Sequence, residues 1–120
     1  MKFYCYPKCS TCKAAASWLN QQGYSYEYIN IRQDPPTADQ LKQLHALSGL
    51  ELKRFFNTSG NSYRALGLAG KLDNIPQPQQ YDMLSRDGML LKRPIIATND
   101  TVLVGFQPEI WEKELTKEES

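Results

Sequence analysis

Apolar residues near the amino terminus first alternate with a period of two and then recur at helical spacing. Positions 2–6 alternate in this way, which predicts a short strand with Phe3 and Cys5 on one face. From position 10 to 23 the pattern is helical and ends at a glycine. Aromatic and β-branched residues over Tyr24–Ile31 predict a second strand. Strand, helix and strand in this order predict a right-handed parallel crossover.

The central part of the chain has the pattern of several short helices, and the last third has that of a hairpin. Two apolar, β-branched runs, Ile95–Ala97 and Thr101–Val104, are separated by three polar residues and predict the hairpin. The order of elements indicates an α/β fold with a small mixed sheet, flanking helices and a helical insertion between the second and third strands. Helices are predicted from a capping box at Thr37 and Gln40 to Gly49, around Glu51–Phe55, at Tyr63–Leu66, at Pro78–Arg86 with a stop near Gly88, and from Pro108 onward.

Length and composition favour a single domain over residues 1–120. Of these residues 41% are hydrophobic and 22% charged, which is ordinary for a globular chain with one core. The net charge is +1 and the basic residues are scattered, so we expect no direct binding of nucleic acid. Pro7 and Lys8 interrupt the first apolar run before a signal-peptide core can form, and no stretch reaches membrane-spanning length. We therefore expect a cytoplasmic protein without a membrane partner.

A C-x-x-C motif, Cys9-Ser10-Thr11-Cys12, lies between the first predicted strand and the first predicted helix. In a reducing compartment such a pair is catalytic or binds a metal more often than it forms a structural disulfide. Amides and the dipole at a helix start stabilise a thiolate and lower the pKa of a cysteine from its usual ~8.5, so Cys9 is the predicted nucleophile. Cys12 follows one turn later on the same side and is predicted to resolve a mixed disulfide on Cys9.

The remaining cysteine and the single histidine have simpler structural interpretations. Cys5 is expected to pack in the core as a small apolar residue, with its sulfur pointing away from the C-x-x-C turn. With Cys9 and Cys12 it has the spacing of an iron–sulfur ligand set, but radical enzymes with such clusters need a much larger barrel. A structural zinc site needs four ligands, and His45 lies on a distant predicted helix, where packing or capping is a commoner role than catalysis. We therefore predict no metal site.

The chain also contains an ordered set of longer segments: the C-x-x-C turn, Arg54–Thr58, Tyr63–Leu68 and Arg93-Pro94-Ile95. In this order they resemble the glutaredoxin-linked arsenate reductase (ArsC) family, which includes the Spx-type transcriptional regulators. The resemblance implies a thioredoxin-like fold with Pro94 in cis beside the redox turn. It also implies Cys9 as the nucleophile and Arg93 as an oxyanion-binding residue, whose planar guanidinium can form two parallel hydrogen bonds.

The chain departs from this family at positions that bear on the substrate. Reductases of the family usually carry two further arginines, where this chain has Asn57 and the Gly105–Phe106 region. Because each charge-assisted hydrogen bond is worth about 1.5–3 kcal/mol, these neutral residues predict weakened arsenate binding. Cys12 is a further departure, since the glutaredoxin-linked reductases typically have no resolving cysteine there. Spx-type regulators have the dithiol but end in a basic segment, whereas positions 111–120 are mixed to acidic.

The leading hypothesis is a thiol-dependent oxidoreductase that reduces an oxyanion or a disulfide of a small thiol or a protein. No bound cofactor is expected, and glutathione, glutaredoxin or thioredoxin would supply the electrons. Arg64 is a candidate to reach the site from the insertion and partly replace the missing arginines, although a solvated helix charge is the commoner role for such a residue. The predicted catalytic residues are Cys9, Cys12 and Arg93, and the predicted substrate contacts are Ser10, Thr11, Pro94, Asn57 and Arg64.

Two other hypotheses remain open from the sequence. A redox-sensing regulator of the Spx type would bind RNA polymerase through a surface distant from the thiols. Such a protein would show polymerase binding that changes on oxidation, without turnover. A family member whose dithiol forms but has no defined substrate is the third hypothesis.

Overall fold

A four-stranded mixed sheet lies at the centre of the described residues. The computed structural model describes residues 1–119, with side chains described through position 116. The strands are β1 (Lys2–Cys5), β2 (Glu27–Asn30), β3 (Ile95–Ala97) and β4 (Val102–Val104), in the spatial order β2-β1-β3-β4. β1 runs parallel to β2 and antiparallel to β3, and β3 runs antiparallel to β4. The predicted parallel pairing of the first two strands and the predicted hairpin are both confirmed.

Five α-helices surround the sheet in this part of the chain. They are α1 (Ser10–Gln21), α2 (Ala38–Ser48), α3 (Asn61–Ala65), α4 (Gln77–Arg86) and α5 (Pro108–Glu119), with 3-10 turns at Leu52–Phe55, Leu72–Asn74 and Gly88–Leu90. The helices α2, α3 and α4 form the predicted insertion between β2 and β3. None of the described helices has both the length and the apolar character that a membrane span requires.

The sheet separates two apolar layers. Alternation along β1 directs Phe3 and Cys5 to the face covered by α1 and α5, and Tyr4 to the face covered by the insertion. The helices therefore pack on both faces, and the predicted α/β, thioredoxin-like architecture is confirmed. The first layer also contains Cys12, Ala15, Leu19, Ile96, Trp111 and Leu115. The second layer packs Leu41, Leu44, Tyr81 and Leu84 against Ile95 and Val102.

The second strand is shorter than the sequence predicts. β2 covers Glu27–Asn30, whereas the predicted strand begins at Tyr24. The N–H of Tyr24 donates to the carbonyl of Leu19 (3.0 Å), so this residue closes the end of α1 instead of joining the sheet. The aromatic residues before β2 still contribute to the core, since the rings of Tyr26 and Phe3 pack edge to face with centroids 5.1 Å apart.

Helix α2 is fixed by its two caps and by one polar contact with α4. The N–H of Gln40 donates to Thr37 Oγ1 (3.1 Å), and the N–H of Thr37 donates to Gln40 Oε1 (2.9 Å), so the predicted capping box is confirmed. Gly49 ends the helix in the left-handed conformation, with φ of 69°. His45 Nδ1 and the hydroxyl of Tyr81 share a hydrogen bond of 2.7 Å. His45 thus packs within the insertion, as expected.

Gly88 has a different role from the predicted helix stop. Helix α4 already ends at Arg86, and Asp87 Oδ1 accepts the N–H of Met89 (2.9 Å) to begin the next turn. A Cβ atom at position 88 would overlap the backbone carbonyl of Ile31, which follows β2. A glycine is therefore required here because two backbone segments approach each other closely.

Candidate active site

Cys9 lies where the turn after β1 meets α1. The turn is closed by a hydrogen bond from the Cys9 N–H to the carbonyl of Tyr6 (3.0 Å), and Cys9 is the N-cap of α1. The carbonyl of Cys9 then accepts the N–H of Lys13 (3.0 Å), the first bond of the helix ladder. The residue is half-buried and its side chain makes no capping hydrogen bond, so the sulfur is partly accessible. The amides at this helix end favour negative charge, as a nucleophilic thiol requires.

Cys12 lies one turn later, on the side of α1 that faces the sheet. Its side chain is 3% exposed and belongs to the same apolar layer as Ala15 and Leu19. The N–H of Tyr6 donates to Cys12 Sγ at 3.4 Å, which joins the chain just after β1 to the first turn of α1. Both cysteines of the motif are free thiols, one partly exposed and one buried.

Cys5 also contacts Cys12, so three thiols meet at the end of β1. Cys5 is fully buried in the same cluster as Cys12, beside the Tyr6 N–H that donates to Cys12 Sγ, and hydrogen bonding between the two thiols shifts the pKa of both. The expectation that the sulfur of Cys5 points away from the C-x-x-C turn is wrong. β1 directs Cys5 to the face that α1 covers, and the sheet-facing side of α1 brings Cys12 onto it. Among the described residues, no group of three or more His, Cys, Asp or Glu side chains is arranged to hold a metal ion.

The surroundings favour the thiolate form of Cys12. The hydrogen bond with Cys5 is the largest influence and lowers the pKa of Cys12. Burial opposes this shift, while the Tyr6 amide, the Cys9 thiol and the charge of Arg93 support it. The same contact, together with burial, raises the pKa of Cys5 above its usual range. The charge belongs on Cys12 because this residue lies in the first turn of α1 and accepts a backbone amide, whereas Cys5 lies within a strand.

Arg93 lies beside the chain that leads into the redox turn, and Pro94 follows it immediately before β3. The peptide bond between them is cis, as the family resemblance implies. Arg93 Nη1 donates to two carbonyls, those of Met89 (3.1 Å) and Leu91 (3.3 Å). Its guanidinium carbon lies 5.7 Å from the centre of the Tyr6 ring. No carboxylate among the described residues pairs with Arg93, so its positive charge is available at the site.

A cavity of about 350 Å³ adjoins Arg93. Backbone hydrogen bonds build it, from the Asn57 N–H to the Leu90 carbonyl and from the Lys92 N–H to the Phe55 carbonyl, both 2.8 Å. The structure thus brings Asn57 and Arg93 into one cavity. No cysteine lines this cavity, nor a larger one of about 610 Å³ at the opposite end of the sheet. The residues lining the first cavity are Asn57, Ser59, Gly60, Asn61, Ser62, Met89 and Arg93.

The other predicted substrate contacts are placed differently. Ser10 and Thr11 are exposed on the first turn of α1, directly after Cys9. Arg64 is exposed on α3, where its Nη2 donates to Asn61 Oδ1 (2.7 Å). It does not line the cavity that contains Arg93, so the structure does not bring it together with the other predicted site residues.

The segment at Gly105–Phe106, where related reductases carry an arginine, forms part of an aromatic cluster. The ring of Phe106 lies 5.0 Å from that of Trp111 and 6.2 Å from that of Trp18, measured between centroids. The indole N–H of Trp111 donates to the carbonyl of Gly105 (2.9 Å). This segment therefore joins α1 and α5 to the hairpin by packing and supplies no cation to the site.

Sequence reasoning missed two parts of this site. Tyr6 was predicted only as the last residue of a strand, yet its amide and its ring both contact predicted catalytic residues. A residue between the last ladder position of a strand and a turn has an N–H that needs a new partner, and this signal could have identified it. The polar residues Ser59, Asn61 and Ser62 belong to a loop-like segment, and no local pattern connects them with Arg93.

Comparison with known proteins identifies relatives along almost the whole chain. A sequence model of the ArsC family matches residues 4–114. YusI of Bacillus subtilis (strain 168), described as uncharacterized, is 44% identical over 113 residues, covering 94% of this chain and 96% of its own. The global transcriptional regulator Spx of Listeria innocua is 26% identical over 106 residues, covering 88% of this chain and 79% of its own.

A solved structure shares the same architecture. The crystal structure of an ArsC family related protein from Bacteroides fragilis superposes with a TM-score of 0.90 at 46% sequence identity, covering 93% of this chain and 94% of that chain. The family resemblance predicted from the sequence is confirmed by both kinds of comparison. Because the family match extends from β1 into α5 and includes the redox turn and the cis-proline hairpin, the chain belongs to the ArsC family.

Proposed function

We propose that the protein is a thiol-dependent oxidoreductase that reduces a disulfide of a small thiol or a protein. The observation that carries this proposal is the pairing of a partly exposed sulfur, Cys9, with a buried sulfur, Cys12, whose pKa is lowered by hydrogen bonding. An accessible thiol can form an adduct with a substrate, and a buried thiolate one turn away can displace it. The two cysteines therefore take different roles in one reaction.

The reaction begins when Cys9 gives its proton to solvent and the resulting thiolate attacks a substrate disulfide. A bond forms between Cys9 Sγ and one substrate sulfur, the substrate disulfide breaks, and the other substrate sulfur leaves as a thiolate that is protonated from solvent. The Cys12 thiolate then attacks Cys9 Sγ, which forms an intramolecular disulfide and releases the second substrate thiol. Two electrons pass from the protein to the substrate. Glutathione, or a dithiol protein of the glutaredoxin or thioredoxin type, returns them.

The cavity beside Arg93 supports a disulfide as substrate more than arsenate. Its lining offers amide, hydroxyl and backbone groups, which suit the peptide bonds of a thiol-containing peptide. The lining also contains one guanidinium, that of Arg93, and this group can pair with one carboxylate of the peptide. Asn57 contributes no charge where related reductases carry an arginine. An oxyanion with two negative charges would therefore be held less firmly than in those reductases.

The experiment that tests the proposal follows the reaction of the reduced protein with a chromogenic aromatic disulfide. The native protein should release the coloured thiol in two phases, first on attack by Cys9 and then on resolution by Cys12. Cys12→Ser should release it once and retain an adduct on Cys9 that mass spectrometry detects. Cys9→Ser should lose the fast phase altogether. Ser17→Ala, an exposed change on α1, serves as the control and should behave as the native protein does.

Turnover provides the second arm of this test. With glutathione disulfide or an oxidised peptide as acceptor, and glutathione or thioredoxin as donor, the native protein should consume reducing equivalents continuously. Both cysteine variants should lose this activity. A Cys9→Ser variant that retains full turnover would contradict the proposal.

A redox-sensing regulator is the second candidate function. It is favoured by the similarity to Spx of Listeria innocua, a protein described as a global transcriptional regulator. In that case the dithiol would act as a switch, and the protein would bind RNA polymerase. Binding of purified bacterial RNA polymerase that differs between the reduced and oxidised protein, together with no turnover, would favour regulation over catalysis.

A further inference from the structure

The resolving sulfur must carry a negative charge while it is almost completely buried. Cys12 is 3% exposed, and a charge removed from water is costly unless hydrogen-bond donors replace the lost hydration. The N–H of Tyr6 lies 3.4 Å from Cys12 Sγ, and Cys5 and Cys9 pack in the same cluster, where hydrogen bonding from their thiols lowers the pKa of Cys12. The charge of Arg93 adds a smaller contribution.

One of these donors is lost at the step that needs them. When Cys9 holds the substrate in a mixed disulfide, its sulfur has no proton and cannot donate to Cys12. Among the described neighbours of Cys12 Sγ, two donors are then left: the backbone N–H of Tyr6 and the side chain of Cys5. The buried anion therefore depends most on Cys5 when it has to attack.

Cys5 is well suited to this role by its place in the fold. β1 is a central strand, paired with β2 on one side and β3 on the other, and Cys5 is its last residue, opposite Asn30 of β2. The residue is fully buried, and its surroundings raise its pKa, so it keeps its proton when Cys12 loses one. A rigid strand thus presents an S–H group to the sheet-facing side of α1.

We propose that Cys5 is a positioning residue for the resolving step: its thiol donates an S–H···S hydrogen bond that holds Cys12 Sγ in place and stabilises its anion while Cys9 carries the substrate. This inference rests on the proposed function. Cys5 forms no bond to the substrate and undergoes no change of oxidation state. Its proton stays on Cys5, and the leaving substrate thiolate is protonated from solvent.

The test compares the pH dependence of the second release phase in Cys5→Ala, Cys5→Ser and the native protein. Loss of the donor in Cys5→Ala should move the midpoint of this profile upward by about one pH unit and slow the phase roughly tenfold below that midpoint. Cys5→Ser keeps a hydroxyl donor and should restore a profile close to the native one. The first phase, which depends on Cys9, should keep its native rate in both variants.

A matched control separates this role from simple packing. Ile96→Val removes one methylene from the same apolar layer and leaves all donors in place. It should lower thermal stability to an extent similar to Cys5→Ala without moving the pH profile. A profile that is unchanged in Cys5→Ala, or that shifts equally in Ile96→Val, would overturn the inference.

Disulfide mapping provides an independent readout. After oxidation of the native protein, peptide mass spectrometry should find the disulfide between Cys9 and Cys12. A disulfide between Cys5 and Cys12 that forms during turnover would make Cys5 a reacting group and would also overturn the inference. Absence of any second phase in the native protein would instead contradict the proposed function itself, so the two failures can be distinguished.

Discussion

The guanidinium of Arg93 lies over the ring of Tyr6, with its central carbon 5.7 Å from the ring centre. The N–H of the same tyrosine donates to Cys12 Sγ at 3.4 Å, and its hydroxyl accepts a hydrogen bond from Arg32 Nη1 at 3.2 Å. Tyr6 is therefore held at its backbone, its ring face and its hydroxyl. It links the cationic wall of the cavity to the buried thiol, so a change at either place is expected to affect the other.

Replacing Arg93 should weaken the reaction with anionic disulfides. Arg93→Gln removes the one cation of the cavity, and with it a charge-assisted hydrogen bond to the substrate. We expect the first phase with an anionic aromatic disulfide to slow roughly tenfold. Stopped-flow absorbance measures this rate. Arg64→Gln is the matched control, since Arg64 lies outside the cavity, and a similar loss in both variants would contradict a specific role for Arg93.

Acid should stop the resolving step before it unfolds the protein. Hydrogen bonding lowers the pKa of Cys12 to about 6, from an ordinary thiol value of ~8.5. A lowered pKa means that the anion is present above that value and disappears as the pH falls through it. In the mixed disulfide Cys9 no longer donates and the pKa of Cys12 is higher than in the reduced protein, so the rate of the second phase should rise through about pH 7 and become constant by about pH 8. A rate that continues to rise up to about pH 9 would indicate an unperturbed thiol at position 12.

Adding a second arginine to the cavity should increase oxyanion binding. Asn57→Arg places a guanidinium in the same cavity as Arg93, where it can form charge-assisted hydrogen bonds worth about 1.5–3 kcal/mol each. We expect arsenate to protect Cys9 from alkylation at concentrations at least roughly tenfold lower than in the native protein. Asn57→Gln, which adds length without charge, is the control. Equal protection in the two variants would count against the cavity as the oxyanion site.

Gly88→Ala should destabilise the fold without a direct effect on the thiols. The added Cβ would overlap the carbonyl of Ile31, and because both groups belong to the backbone, one segment has to move. A loss of about 2 kcal/mol or more is expected, as for overpacked sites, measured by urea denaturation. Gly23→Ala is a useful comparison because its added Cβ would meet open space. This variant should lose only about 1 kcal/mol of stability, from the strain of placing alanine in the left-handed conformation.

Features that depend on local signals could be predicted from the sequence. The C-x-x-C turn, the Thr37–Gln40 capping box and the hairpin strands all lie within a few residues of the pattern that indicates them. The contact between Cys5 and Cys12 could not be predicted from strand alternation, because it depends on the direction in which α1 crosses the sheet. Alternation identifies the face on which a residue lies but not the residue above it.

The meeting of Asn57 and Arg93 was implied by the family resemblance alone, and local patterns could not predict it for a related reason. Asn57 and Arg93 are brought together by backbone pairing between two irregular segments, with a bridge between Phe56 and Leu91 at its centre. Neither segment has the alternation of a strand, so no periodic pattern indicates that they meet. The start of β2 was wrong because the aromatic residues that predict a strand there instead close α1 and pack on the core.

Different parts of the chain support the cavity and line it. Backbone hydrogen bonds between residues 55–57 and residues 90–92 support it, whereas most of its polar lining comes from the loop and helix start at positions 59–62. Exchanging residues 59–62 between relatives would therefore leave the pairing and the thiols untouched while replacing four of the seven residues that line the cavity. Under the proposed function, this short segment could then be exchanged to alter substrate contacts while Asn57 and Arg93 stay in place.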